Sequence, residues 1–261
     1  MSESSSTSRG IGGWIFAALS WIGSHEFPVL LSLGVLAGGI WAFAEIADEV
    51  VEGEEIAGFD ERLLLSLRNP DDLADPLGPG WVEEMGRDLT ALGSLSVLTL
   101  VILASLGYLL LANRNRTALF TLLAVSGGVL LSQGLKNLFE RARLDVVPHE
   151  AVVYTASFPS GHSMMSAVTY LTLAAILSRV HSAGVLKAYL LIVALVITVL
   201  VGVSRVYLGV HWPTDVLAGW VAGAAWAAFC WLVARWLQLR HVVEDQVLDI
   251  RLENKRSTKK I

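Results

Sequence analysis

Six apolar stretches of about 20 residues each lie at roughly 27–46, 93–112, 118–139, 162–180, 186–203 and 215–237. A helix of that length crosses the hydrocarbon core of a bilayer. Lipid offers bare backbone no hydrogen-bond partner, so a spanning segment must close its own bonds as a helix. The pattern predicts an all-α, polytopic membrane protein with six transmembrane helices in one bundle. Composition agrees: 54% of residues are hydrophobic and 16% charged, where a soluble domain carries about 25% charged. The formal charge of −5 gives no footprint for nucleic acid, so none is expected as a partner. One cysteine, Cys230, lies inside an apolar run. It cannot form an intrachain disulfide, and no Cys/His spacing for a metal is present.

The rest of the chain divides around those spans. Residues 1–26 form an N-terminal segment in which "IGGWIFAALSWIG", 11–23, is apolar but short. It reads as an interfacial helix with Trp14 and Trp21 at headgroup depth. Residues 27–239 form the six-span domain. Inside it, 47–92 is polar, acidic at "ADEVVEGEE" and turn-rich at "NPDDLADPLGPG". "FDERLLLSLR" and "VEEMGRDLTALG" read there as short amphipathic helices lying on the membrane. Residues 240–261 read as a soluble basic tail. Six spans put both termini on one side. Lys and Arg favour the cytoplasm, and the termini-inside arrangement places Arg9, Arg114, Arg116, Arg179, Lys187 and the tail there. Cytoplasmic termini are therefore expected.

The remaining charged residues gather on the opposite face. Lys136 and Arg143 lie at the end of the third span. His162 opens the fourth, Arg205 ends the fifth, and His211 and Asp215 open the sixth. Charged groups at membrane depth are costly and usually mark a functional site. Lys136 and Arg143 are seven residues apart, so they share a face if the helix continues, while Arg141 points away. As a bare pair they are also what snorkelling cations at a helix C-terminus look like. In "FPSGHSMMS", 158–166, Pro159 and Ser160 read as a helix start with Ser160 as N-cap. Gly161 lets a ligand approach the backbone, and the N–H groups that follow favour an anion. His162 sits where that anion would bind. In "HWPTD", 211–215, an acid one turn after a histidine can accept its Nδ1–H and leave Nε2 free to attack. Asp215 alone would suit the helix dipole, but that does not account for His211 or Arg205.

Together these segments resemble the type 2 phosphatidic acid phosphatase superfamily. Its pattern is KxxxxxxRP, then PSGH, then SRxxxxxHxxxD. The chain reads "KNLFERAR" (136–143), "PSGH" (159–162) and "SRVYLGVHWPTD" (204–215). Leu144 stands where the pattern has proline. The resemblance implies that His211 is the nucleophile and forms a phosphohistidine, that Asp215 orients it, and that His162 protonates the leaving group. It implies phosphate binding by Lys136, Arg143, Ser160, Gly161 and Arg205.

The implied activity is metal-independent hydrolysis of a lipid phosphomonoester or pyrophosphate at the outer membrane face. Phosphoryl transfer is mostly positioning and charge stabilisation. Three cations and a helix N-terminus supply that charge, so no metal and no cofactor are expected. The expected partners are a lipid phosphate and membrane lipids. Phosphatidic acid, phosphatidylglycerophosphate and undecaprenyl pyrophosphate remain open as substrates. Two other readings stand beside this one. A vanadium-dependent haloperoxidase resembles the same motifs but is soluble. A non-enzymatic lipid-binding or transport protein would have no use for the His211–Asp215 pair.

Overall fold

The computed structural model describes residues 11–52, 54–141, 156–178, 184–240 and 242. Helices dominate. They are α1 (Ile11–Glu52), α2 (Glu54–Leu65), α3 (Gly80–Ala91), α4 (Leu95–Leu111), α5 (Asn115–Phe139), α6 (Gly161–Ser166), α7 (Thr172–Leu177), α8 (Gly184–Tyr207) and α9 (Pro213–Leu239). A π-helical turn, Ala167–Leu171, joins α6 to α7, so 161–177 is one helical run. A two-stranded antiparallel hairpin, β1 (Arg68–Asn69) and β2 (Asp72–Pro76), follows α2. The turn-rich "NPDD" closes it, a small departure from the all-α expectation.

Each of the six expected spans meets an apolar helix. Four are long and apolar enough to cross a membrane: Phe27–Val51, Asn115–Phe139, Gly184–Tyr207 and Pro213–Leu239. α3 and α4 pass the same test only as a pair bent by 46°, and 161–177 is shorter. The sequence suggested a separate helix over 11–23. Instead α1 runs unbroken from Ile11 to Glu52, through Pro28. The polar segment 47–92 holds the end of α1, α2, the hairpin and α3.

Large apolar side chains remain exposed along the spans, among them Leu103, Leu123, Leu130, Ile192 and Leu195. In water such a surface would be an association liability, whereas lipid is as apolar as leucine. Without a hydrophobic drive between helices, close packing needs small residues. α9 supplies them and is the centre of the bundle, touching α1, α6 and α8. Its buried residues include Ala218, Gly219, Ala222, Gly223 and Ala225. Trp220 and Trp226 reach outward from it. Their indole N–H groups donate to the carbonyls of Thr198 and Ala124, at 2.9 and 2.8 Å. Near one end Phe43, Phe139 and Phe158 form a three-ring cluster, with centroids 5.1–6.0 Å apart. Phe158 is fully buried there against Ala47 and Ala218. That anchor fixes the segment leading into α6.

Candidate active site

Turn chemistry joins the fifth expected span to the sixth. α8 ends in a Schellman motif. Gly209 takes the left-handed conformation at φ 68, where a Cβ would be strained. Its N–H donates to Val206 O, and the Val210 N–H donates to Arg205 O. The His211 N–H also reaches Arg205 O, at 3.3 Å. Arg205 and His211 are therefore fixed to one another through a shared carbonyl. Trp212 is the N-cap of α9, Pro213 the first helical residue and Asp215 the third. The Asp215 carboxylate accepts the Trp212 N–H at 3.2 Å, which satisfies one of the helix's orphan donors.

His211 and Asp215 face each other one turn apart. Nδ1 of His211 lies 3.2 Å from Oδ2 of Asp215, and both side chains are buried. An imidazole held through Nδ1 presents Nε2 on its other side. Ser157 lies between them. Its hydroxyl donates to Asp215 Oδ2 and sits 3.4 Å from His211 Nδ1.

α6 is brought against the same place. The Ser160 N–H donates to the main-chain carbonyl of Asp215 at 2.9 Å. Ser160 is the N-cap, as its position in the sequence suggested, but its hydroxyl makes no capping bond. It accepts instead from the Ser163 hydroxyl at 3.1 Å. Lys136, in the last turn of α5, is buried and donates Nζ to the carbonyl of Ala156 at 2.8 Å. A Cβ placed on Gly161 would lie 3.5 Å from Lys136 Cε, so the lysine passes beside the start of α6. His162 is half-buried. Its Cβ would be 3.3 Å from a Cβ on Gly93, at the α3–α4 turn. Arg205 donates Nη1 to the Thr90 hydroxyl at 3.1 Å, near the end of α3. Lys136, Ser160, Gly161, His162, Arg205, His211 and Asp215 thus collect at one end of the bundle. Arg143 and Leu144 lie outside the described residues.

One expectation is overturned here. Arg141 was to point away from the site. α5 stops at Phe139, and Glu140 is left-handed at φ 43, so the helical phase is lost before Arg141. For the same reason helical spacing cannot place Arg143 on the Lys136 face. Arg141 turns into the cluster instead. Its Nη1 donates to Asp215 Oδ1 at 2.7 Å and to Thr214 Oγ1 at 2.9 Å. Its Nη2 donates to Asp60 Oδ2 at 3.0 Å. The guanidinium also sits 5.7 Å from the centroid of the Trp212 ring, a cation–π distance.

Asp60, Thr214 and Ser157 are further residues the sequence did not single out. Asp60, on α2, is fully buried. It accepts the Thr214 N–H at 3.0 Å and the Thr214 hydroxyl. Burial raises its carboxyl above the ordinary aspartate value, and the bonds from Thr214 and Arg141 oppose that rise. Thr214 lies inside "HWPTD" and Ser157 immediately before "FPSGH", so adjacency to the motif residues was the available signal. Asp60 has no spacing that links it to them. Among the described residues, no group of three or more His, Cys, Asp or Glu is placed to hold a metal ion.

A model of the PAP2 superfamily matches residues 115–239, from the start of α5 to the end of α9. Phosphatidylglycerophosphatase B of Bacillus subtilis (strain 168) is 40% identical over 147 residues, covering 55% of this chain and 70% of that protein. An undecaprenyl-diphosphatase of Sulfolobus acidocaldarius is 38% identical over 73 residues, 28% of this chain and 31% of that protein. Among solved structures, a transmembrane PAP2 type phosphatidylglycerolphosphate phosphatase from Bacillus subtilis aligns with a TM-score of 0.67 at 30% identity. That alignment covers 77% of this chain and 96% of that one. With the described motif residues set at one end of a matching helical bundle, the chain belongs to the PAP2 superfamily and is a lipid phosphatase of the PAP2 type.

Proposed function

We propose that this phosphatase hydrolyses the phosphate or diphosphate headgroup of a membrane lipid through a phosphohistidine at His211. The buried His211–Asp215 pair beside the start of α6 is the observation that carries the reading. In the first step Nε2 of His211 attacks phosphorus in line with the leaving oxygen. A P–N bond forms, the P–O bond to the lipid breaks, and His162 gives its proton to the departing oxygen. In the second step water attacks the phosphohistidine and returns a proton to His162. The P–N bond breaks and inorganic phosphate leaves. Lys136, Arg143, Arg205, Ser160 and Gly161 bind the phosphate oxygens. Positioning and charge stabilisation of this kind supply most of the catalysis in phosphoryl transfer.

The architecture we assign is six spans, with α4 and the run 161–177 crossing as the shorter two. The termini are cytoplasmic and the site faces outward. α2 and α3 lie along the outer leaflet. Exposed apolar residues support this, namely Phe59 and Leu63 on α2 and Trp81 and Met85 on α3. Phosphatidylglycerophosphate and undecaprenyl diphosphate are the first substrates to test, since two relatives carry those names. Phosphatidic acid is the third.

The test measures phosphate release from all three lipids in detergent, with acid-labile phosphate trapped on the protein during turnover. The wild type should accumulate that label and His211→Ala should not. Its rate should fall by several orders of magnitude. A folded His211→Ala protein with near-wild-type turnover would falsify the mechanism.

A further inference from the structure

Asp60 lies on α2, far in sequence from the Thr214 and Arg141 it contacts, and outside the region the family model covers. A fully buried carboxylate is costly unless it is paired and hydrogen-bonded. Here both oxygens are used. Oδ1 takes the Thr214 N–H, and Oδ2 takes the Thr214 hydroxyl and Arg141 Nη2. Arg141 then spans to the second carboxylate, donating Nη1 to Asp215 Oδ1 at 2.7 Å. Thr214 Oγ1 accepts from the same Nη1 at 2.9 Å while donating to Asp60. One guanidinium fork is thereby held between two acids, with a hydroxyl closing the ring.

The consequence falls on Asp215. Its Oδ1 is engaged by Arg141, while Oδ2 takes the Trp212 N–H, the Ser157 hydroxyl and His211 Nδ1. The bonds at Oδ2 alone would leave the carboxylate free to pivot about that oxygen. Arg141 fixes the other oxygen, and Asp60 fixes Arg141.

We propose that Asp60 is a positioning residue for the reaction. Through Arg141 and Thr214 it holds the Asp215 carboxylate so that Oδ2 faces the His211 imidazole and keeps the proton on Nδ1. This rests on the reading of His211 as nucleophile. Asp60 does not touch substrate. It acts through a fork that a single-point cation cannot reproduce.

The experiment compares wild type, Asp60→Asn and Arg141→Lys in detergent. Turnover is read on micellar dioctanoyl phosphatidic acid. The His211 tautomer is read from long-range proton–nitrogen spectra of histidine-labelled protein, assigned by loss of the signal in His211→Ala. Asp60→Asn keeps the side chain's size and should lower kcat about 10- to 100-fold with KM held within about threefold. Its His211 ring should move from the Nδ1–H tautomer to a mixture. Arg141→Lys tests the same link without altering Asp60 and should shift the tautomer too. Unchanged tautomers with kcat within about twofold of wild type overturn the proposal. Loss of the folded elution peak in both variants also overturns it, because the network would then serve to attach α2. If wild type traps no phosphate on His211, the nucleophile reading fails, while the tautomer shift still reports on Asp60.

Discussion

The main-chain N–H of Ser160 donates to the main-chain carbonyl of Asp215 at 2.9 Å. This bond ties the first turn of α9, which carries the acid, to the entry of α6, which carries His162. It needs two backbones to come very close. Gly219 makes that possible. A Cβ there would sit 2.8 Å from Ser160 O and 2.9 Å from Ser163 Cβ. The obstructing atoms are backbone and a short side chain, so neither can swing away. Gly219→Ala should therefore cost about 1–3 kcal/mol of stability, as overpacking does. It should also lower phosphate release at least about tenfold by prising the two helix starts apart. Gly134 on α5 has no neighbour within 4 Å of its Cβ position. Gly134→Ala should be neutral or slightly stabilising, since alanine is the better helix former. Melting in detergent and lipid turnover check both, and equal behaviour of the two variants would refute the close-packing account.

His162 opens α6 within reach of the α3–α4 turn. In its proposed role as proton donor to the leaving oxygen, it matters in proportion to how poor that leaving group is. An alkoxide from a phosphomonoester needs the proton more than a phosphate from a diphosphate. His162→Ala should reduce turnover of phosphatidic acid far more than turnover of an isoprenyl diphosphate. Comparing the two substrates on one preparation checks this. Equal losses would assign His162 to binding instead.

Sequence alone placed the helices well because apolar runs are a one-dimensional signal. Each of the six runs coincides with an apolar helix, and the described motif residues fall at one end. The boundaries were less legible. The polar residues and proline of "SHEFPV" are break signals, yet α1 continues through Pro28. The cluster around Asp215 was half visible. His211 and Asp215 are four residues apart in sequence across the N-cap of α9, so a local pattern finds them. Arg141 was misplaced because spacing extends a helix past Phe139, while Glu140 leaves it. Asp60 could not be found at all. Its partners are Arg141 and Thr214, and no local pattern records a contact between α2 and the first turn of α9.

In the proposed mechanism, charge stabilisation comes from Lys136, Arg143, Arg205 and the start of the run 161–177 and from no metal. Activity should therefore persist when divalent cations are removed with EDTA. Phosphate release before and after chelation measures this. Complete loss, recovered on adding Mg²⁺, would place a metal in the mechanism.

Sidedness is testable at two exposed positions. Asp75 lies in the hairpin on the site's side of the bundle, and Asn115 is the first residue of α5, at its opposite end. The native Cys230 is buried. In intact cells an impermeant thiol reagent should label Asp75→Cys and spare Asn115→Cys until the membrane is broken. The reverse pattern would turn the site to the cytoplasm and exclude lipids presented only on the outer leaflet.

Arg205 is held from two directions. Its carbonyl anchors the Schellman turn that carries His211, and its guanidinium donates to the Thr90 hydroxyl at 3.1 Å. In the proposed site Thr90 would thus aim a fork that can meet two phosphate oxygens at once. A lysine keeps the charge but offers a point in place of the fork. Arg205→Lys should lose about 10- to 100-fold in kcat/KM, more than its unchanged charge would suggest. Thr90→Val removes the hydroxyl and keeps the shape. It should lose less, about threefold to tenfold, because the arginine remains but is no longer aimed. Vanadate reads the same geometry, since its five-coordinate form resembles the group in transfer. Both variants should weaken vanadate inhibition more than inhibition by phosphate. If phosphate and vanadate weaken equally, Arg205 binds the ground state and the transition state alike, and its assigned share of the catalysis is removed.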